Sequence, residues 1–220
     1  MAFPVTDFSN FAALPPLMRK AEVRLFNSFF PKQNYGPVRS INNEILRVSS
    51  FGDFCDRPDF SIILERIIKK TKNYKKENRS KQLQLNLYAS RALYDYAVEN
   101  DVYCIKERFG SFAYTMMGGI KPFEEAVVFI DDEPHIVFLD FRKKKHLTSS
   151  GRKFIFSVMH HHIRSKFEDL SDAKLAVLHM RGSRKQRYIE TITHDDSELF
   201  SLAELEQMVS DMFYEIAMAA

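Results

Sequence analysis

The sequence predicts an α/β protein in which a mixed central sheet is flanked by helices and preceded by an N-terminal helical extension. Apolar residues recur at helical spacing through the first hundred residues, whereas short segments rich in aromatic and β-branched residues follow Asp101. A helical segment then separates two predicted strands, an order that indicates a crossover connection. We expect residues 1–82 to form the extension and residues 83–220 to form the α/β core.

Three helices are predicted in the first hundred residues. The first, "PPLMRKAEVRLFNSFFP", starts at proline and carries an apolar stripe formed by Leu17, Ala21, Leu25 and Phe29. The second, "DFSIILERIIKKTK", begins behind Asp59 or Ser61 and ends in lysines, as helix C-termini prefer. The third, "SKQLQLNLYASRALYDYAVEN", presents two adjacent apolar faces, so we expect it to be well buried.

The strands follow in order along the rest of the chain. "VYCIKERF" and "FAYTMM" come first, and the acidic turn "DDEP" then joins "EAVVFI" to "HIVFLDF" in a hairpin. "SSGRKFIFSVMHHHIRSKF" has helical spacing and leads to two more strands, "AKLAVLHM" and "RYIETIT". The last helix starts at Ser201, and Glu204 three residues later completes a capping box.

Composition excludes several classes of protein. The chain has 45% hydrophobic and 28% charged residues, which is ordinary for a soluble globular protein. No apolar run reaches the roughly 20 residues needed to span a bilayer, and the N-terminus has no convincing signal peptide. We therefore expect a soluble, cytoplasmic protein with no membrane partner.

Lys and Arg cluster in three short tracts, at residues 69–81, 142–145 and 181–187. The chain after Arg187 contains acids and no Lys or Arg. This asymmetry is typical of a polyanion-binding protein, and it is also produced by solvated helix ends. The first interpretation predicts contacts to nucleic acid phosphates, with DNA favoured over RNA. The predicted nucleic-acid-binding residues are Lys69, Lys70, Lys72, Lys75, Lys76, Arg79, Lys81, Lys144, Lys145, Arg184, Lys185 and Arg187.

The hairpin "EEAVVFIDDEPHIVFLDFRKKK" carries the candidate chemistry. Its second strand is apolar on both faces up to Asp140, which places this aspartate at the rim of a core. Glu124 and Glu125 start the partner strand, and the turn at 130–135 returns them to roughly the level of Asp140. Two carboxylates so close repel each other unless a cation or a proton lies between them.

This arrangement resembles the PD-(D/E)xK nuclease superfamily, whose restriction-endonuclease-like core has an acid on one strand and an acid followed by a cation on the next. The resemblance implies that Glu124 or Glu125 and Asp140 hold Mg²⁺ or Mn²⁺. Arg142 stands where the family carries lysine, with Lys143 beside it. Asp140, Arg142 and Lys143 are then the catalytic residues of a metal-dependent phosphodiester hydrolysis.

Two other functions remain open at this stage. One is a non-catalytic nucleic-acid-binding or regulatory protein that retains the fold. The other is a protein–protein interaction module, with a protein partner bound through the amphipathic C-terminal helix. The run "HHH" at 160–162 is an alternative metal site, but on a helix three consecutive side chains point about 100° apart. We therefore expect one packed histidine there and two exposed ones.

Overall fold

The computed structural model describes residues 5–27, 36–49, 56–72, 76–115, 118–142, 146–183, 186–194 and 198–219. Its centre is a six-stranded sheet in the order β1-β2-β5-β6-β7-β8, and β3 and β4 form a separate two-stranded sheet. The strands are β1 (Val48–Ser49), β2 (Tyr103–Lys106), β3 (Ala113–Thr115), β4 (Gly118–Ile120), β5 (Ala126–Ile130), β6 (Glu133–Asp140), β7 (Lys174–Gly182) and β8 (Arg187–Thr193).

The helices lie on both faces of the six-stranded sheet. They are α1 (Val5–Ala12), α2 (Pro16–Asn27), α3 (Gly36–Arg39), α4 (Asn42–Ile45), α5 (Phe60–Thr71), α6 (Lys76–Glu99), α7 (Ser149–Met159) and α8 (Leu202–Ala219). A π-helical turn (His160–Arg164) extends α7, and a 3-10 turn (Glu168–Leu170) follows it. Helices on both faces of a mixed sheet confirm the predicted α/β class.

The predicted crossover joins β6 to β7. β5 and β6 pair antiparallel through Asp131 and Asp132, whose φ angles of 50° and 63° are those of a tight hairpin turn. α7 then carries the chain across the sheet, and β7 pairs parallel with β6. β8 returns antiparallel to β7, so the sheet is mixed.

β6 is covered on both faces because its apolar residues alternate between two cores. Ile136 and Phe138 pack with Phe8 of α1, Phe154 of α7 and Met212 of α8, among others. Val137, Leu139 and Phe141 pack on the opposite face with residues of α5 and α6 such as Ile63 and Leu93. The period of two in a strand sends successive side chains to opposite layers.

The N-terminal helices divide between these two layers. α1 and α2 lie beside α7 and α8, whereas α3, α4 and α5 lie beside α6. The predicted domain boundary between residues 82 and 83 falls inside α6, which also contacts β8 through a 2.5 Å hydrogen bond between Tyr96 and Thr191. The division into two domains stays a prediction.

The histidine run lies in the π-helical turn after α7. His162 is buried, its Nε2 lies 2.8 Å from the carbonyl oxygen of Phe109, and its ring stacks on Phe123. His160 and His161 are only partly buried. One histidine is therefore packed, as expected, and the other two are half-exposed. None of the described helices is long and apolar enough to cross a membrane.

Candidate functional site

The carboxyl ends of β6 and β7 form a rim that contains the predicted catalytic aspartate. Asp140 is the last residue of β6, it pairs with His179 of β7, and it is fully buried. Its Oδ1 accepts the backbone N–H of Arg142 at 3.2 Å, and its Oδ2 accepts that of Leu147 at 3.0 Å. Nδ1 of His179 lies 3.3 Å from Oδ2. The buried carboxylate therefore holds the two ends of the loop between residues 142 and 147 together.

Arg142, the predicted cation of the site, turns towards the N-terminal helix α1. Its Nη1 and Nη2 donate to Oδ1 and Oδ2 of Asp7, each at 2.6 Å. Such a two-pronged bond suits the planar guanidinium, and Asp7 is itself almost fully buried. Arg142 is thus engaged by an internal carboxylate that lies 135 positions earlier in the sequence.

A second polar contact fixes α1 to the start of α7. The side chain of Thr148 caps α7 by accepting the N–H of Gly151 at 3.0 Å. Asn10 accepts the N–H of Thr148 at 2.9 Å and donates to the carbonyl oxygen of His146 at 3.1 Å. A Cβ at position 151 would lie only 2.2 Å from Oδ1 of Asn10, so this approach requires glycine.

The two glutamates lie away from Asp140. Glu124 donates its backbone N–H to the carbonyl oxygen of Val137 at 2.8 Å, which sets it three residues short of Asp140 along β6. Its carboxylate accepts from Asn42 of α4 at 3.2 Å, in the layer of α3 to α6, whereas Asp140 follows Ile136 and Phe138 onto the face of α1, α7 and α8. Glu125 is exposed and pairs with Lys121 at 2.8 Å.

Burial shifts the ionisation of Glu124 and of a rim histidine. Removal from water raises the pKa of the Glu124 carboxyl, while Arg39 and the hydrogen bond from Asn42 oppose this and Glu125 adds to it. Burial, and then the neighbouring His179, lower the pKa of His146, whose ring centre lies 5.0 Å from that of His179. No three His, Cys, Asp or Glu side chains among the described residues are arranged to hold a metal ion.

The predicted nucleic-acid-binding residues are placed as follows. Lys69, Lys70 and Lys72 are exposed at the end of α5, and Arg79 and Lys81 are exposed near the start of α6, whose first residue is Lys76. Arg187 begins β8, where its Nη1 lies 3.1 Å from Sδ of Met180. Lys75, Lys144, Lys145, Arg184 and Lys185, together with the predicted catalytic Lys143, lie outside the described residues.

Sequence reasoning missed the orientation of α2. Leu17 and Ala21, two members of the predicted apolar stripe, are exposed, whereas Arg19 and Val23 face inward. Arg19 is drawn in by Asp211 of α8, to which its Nη1 donates at 2.8 Å. The acidic surplus of the last helix was the available signal, but nothing local to α2 identified its partner.

These contacts define a mixed α/β protein in which the strand-end carboxylate and cation bind the protein's own chain. The chain belongs to the family of sliding clamp-binding bacterial toxins named SocB, whose family model matches residues 6–217. A similar protein is the DNA replication inhibitor toxin SocB of Caulobacter vibrioides (strain NA1000 / CB15N). It is 28% identical over 215 residues, which are 96% of this chain and 86% of that protein. No solved structure matches the chain.

The family match corrects the resemblance to PD-(D/E)xK nucleases, which was wrong. Predictions of a nuclease, a hydrolase and a metal-binding protein rested on three motif residues, whereas the SocB family model spans residues 6–217. The physical reason is visible at the rim. A buried strand ending in Asp140 needs donors for that carboxylate, and the protein supplies them from its own loop and from β7. The motif residues that resembled a nuclease site therefore serve to bury and hydrogen-bond Asp140 within the fold.

Proposed function

We propose that this protein is a bacterial toxin that binds the sliding clamp and thereby inhibits DNA replication. The observation that carries the proposal is the match of the SocB family model across residues 6–217. The similar Caulobacter protein, described as a DNA replication inhibitor toxin, supports the inhibitory part. The main partner is then another protein, and the site of action is the cytoplasm, where bacterial chromosomes replicate.

The distribution of exposed apolar side chains supports a protein partner. Five of the nine large apolar side chains that are exposed within the described residues lie on α2 and α8. We define the α2–α8 surface as Leu17, Met18, Tyr214 and Met218; Leu17 is 86% exposed and Tyr214 is 64% exposed. The ion pair between Arg19 and Asp211 holds the two helices side by side. Large exposed apolar side chains on two helices in contact are suited to binding a protein, so this surface is our candidate for contact with the clamp.

Binding and inhibition are tested separately. Purified protein is mixed with the sliding clamp of its own host and analysed by size-exclusion chromatography with light scattering, where we expect a stable complex. In cells, induced expression should reduce incorporation of labelled thymidine before it reduces protein synthesis. Two proteins that elute separately at micromolar concentrations, with DNA synthesis unaffected, would contradict the proposal.

A matched pair of variants tests the α2–α8 surface. Leu17→Ser with Tyr214→Ser removes two exposed apolar side chains from it, and Ile62→Ser with Ile68→Ser removes two from the outer face of α5 as a control. We expect the first variant to weaken clamp binding more than about tenfold, because a few apolar contacts carry most of the energy of an interface. Equal effects of the two variants would refute this surface while leaving the clamp as the partner.

A further inference from the structure

The connection between α5 and α6 concentrates the positive charge of the protein. Residues 69–81 contain seven Lys or Arg and one acid, a net charge of +6, whereas the whole chain carries +3. The other residues together are therefore net negative. We define the α5–α6 basic cluster as the five described cations with exposed side chains, which are Lys69, Lys70, Lys72, Arg79 and Lys81.

A hydrogen bond within α5 and one from α6 to the end of α5 order the backbone of this cluster. The buried hydroxyl of Thr71 lies 2.6 Å from the carbonyl oxygen of Ile67 and 2.9 Å from that of Ile68. Nη2 of Arg79 donates to the carbonyl oxygen of Lys72 at 2.9 Å. The end of α5 is thereby tied to the first turn of α6, and the lysines project from a defined backbone.

The lysines of the cluster are not used inside the fold. Lys69, Lys70, Lys72 and Lys81 are exposed, and none forms an ion pair with a carboxylate in the part of the chain that the structure describes. At physiological salt, like charges within about 8 Å still repel one another. Clustering them therefore adds nothing to folding stability, and a bound anion would relieve the repulsion.

Helix stability explains only half of the cluster. Lys69 and Lys70 lie in the last turn of α5, where the helix dipole favours cations. The first turn of α6 contains Lys76 and Arg79 with a single acid, Glu77, although the same dipole favours acids there. The basic residues therefore continue into the N-terminus of α6, where helix stability favours acidic residues.

We propose that the α5–α6 basic cluster binds the phosphate backbone of duplex DNA without reading its sequence. Exposed lysines contact phosphates as point charges, which gives sequence-independent and salt-sensitive binding. Residues 69–81 contain one aromatic residue, Tyr74, so they lack the stacking side chains that single strands require. The choice of duplex DNA over other polyanions rests on the proposed function, because a replication inhibitor works where duplex DNA is present.

The test compares two triple variants of equal charge. Lys69→Gln, Lys70→Gln and Lys72→Gln neutralise the cluster, while Lys20→Gln, Lys106→Gln and Lys166→Gln neutralise three exposed lysines on α2, at the end of β2 and after the π-helical turn. Both lower the formal net charge by three. Affinity for a short labelled duplex of mixed sequence is measured by fluorescence anisotropy across salt concentrations, without any clamp.

We expect the cluster variant to bind the duplex more than about tenfold more weakly at about 0.1 M salt. The slope of log affinity against log salt should flatten by about 0.9 for each phosphate contact removed. The control variant should stay within about threefold of the unmodified protein, which reports the contribution of net charge alone. Circular dichroism melting of both variants establishes that each is folded.

Three outcomes would overturn the inference. They are equal losses in the two variants, an affinity that does not respond to salt, and tighter binding to single-stranded RNA or to anionic lipid vesicles than to the duplex. A separate measurement of clamp binding without DNA distinguishes failure of this inference from failure of the proposed function. A cluster variant that binds the clamp normally but has lost DNA supports both proposals, whereas a protein that binds DNA and no clamp refutes only the function.

Discussion

Two regions with similar sequences have opposite roles in the structure. They are the rim at the ends of β6 and β7 and the α5–α6 basic cluster. "DFRKKK" and "KKTK" both end an apolar element with a run of cations. At the rim, Arg142 turns inward to Asp7 and Asp140 is fully buried. At the cluster, Lys69, Lys70 and Lys72 remain in solvent. A run of charged residues therefore predicts the end of a helix or strand. Whether one of these side chains is also buried depends on a partner that is distant in the sequence.

The two regions also differ in how much their charged residues contribute to the free energy of unfolding. A buried carboxylate loses its hydration and needs donors from the protein, so Asp140 is stabilising only while its donors are in place. An exposed lysine keeps its hydration, and its removal changes folding stability little. Mutations at the rim should therefore act on stability, and mutations at the cluster should act on binding.

The largest effect is expected at Asp140. Asp140→Ala leaves the backbone N–H groups of Arg142 and Leu147 without their acceptor and opens a small cavity beside His179. We expect the free energy of unfolding to fall by about 3–5 kcal/mol, measured by urea denaturation. Glu125→Ala, which removes an exposed carboxylate paired with Lys121, is the control and should cost less than about 1 kcal/mol. Equal free energies of unfolding for the two variants would refute the claim that the buried carboxylate matters more to stability than the exposed one.

A smaller loss is expected from the ion pair that joins α1 to the rim. Asp7→Asn keeps the shape of the side chain but removes the charge and one of the two acceptors for Arg142. Because Asp7 is nearly buried, we expect a loss of about 2–3 kcal/mol. Glu133→Gln, at the exposed pair with Lys174, serves as the surface counterpart and should be close to neutral. A neutral Asp7→Asn would show that packing and the hydrogen bonds of Asn10 hold α1 without the ion pair.

The smallest effect concerns Glu124 and has the opposite sign. Burial raises the pKa of its carboxyl in the folded state, so this group contributes stability that is present below its ordinary value of 4.5 and is lost as the pH rises through the folded-state value. At neutral pH the ionised form is a cost. Glu124→Gln, which can still accept from Asn42, should therefore raise the melting temperature at neutral pH and lose this advantage on acidification.

Glu125→Gln is the matched variant for that measurement, since Glu125 is exposed, and its melting temperature should show no comparable dependence on pH. A lower melting temperature for Glu124→Gln at neutral pH would show that the fold uses the charged form. Glu124 would then resemble Asp140 in depending on internal donors.

Local sequence patterns predicted much of the fold. The continuous apolar run in "HIVFLDF" marked β6 as a strand covered on both faces. The capping box is confirmed because the N–H of Ser201 donates to the Glu204 carboxylate and the N–H of Glu204 donates to the Ser201 hydroxyl. The hairpin was predicted from the acidic turn, and Asp131 and Asp132 adopt the positive φ angles that such a turn needs. In each case the residues that determine the element are neighbours in the chain.

The site could not be predicted in the same way because its contacts are distant in sequence. The interpretation of Asp140 depended on Glu124 or Glu125 lying beside it. Glu124 lies on the opposite face of the sheet, and Glu125 is exposed beside Lys121. The roles of Arg142 and Arg19 depend on Asp7 and Asp211, which are 135 and 192 positions away. A three-residue motif carries no information about such pairings, and the proposed function rests instead on the family match over residues 6–217.

The contact between α1 and α8 can form only late in synthesis. Phe8 lies 5.4 Å from Phe213 between ring centres, so α1, which also packs on α7, completes its contacts only after α8 has been synthesised. Native contacts between segments so far apart in the chain form late in folding. A nascent chain should therefore lack the α2–α8 surface until α8 has left the ribosome.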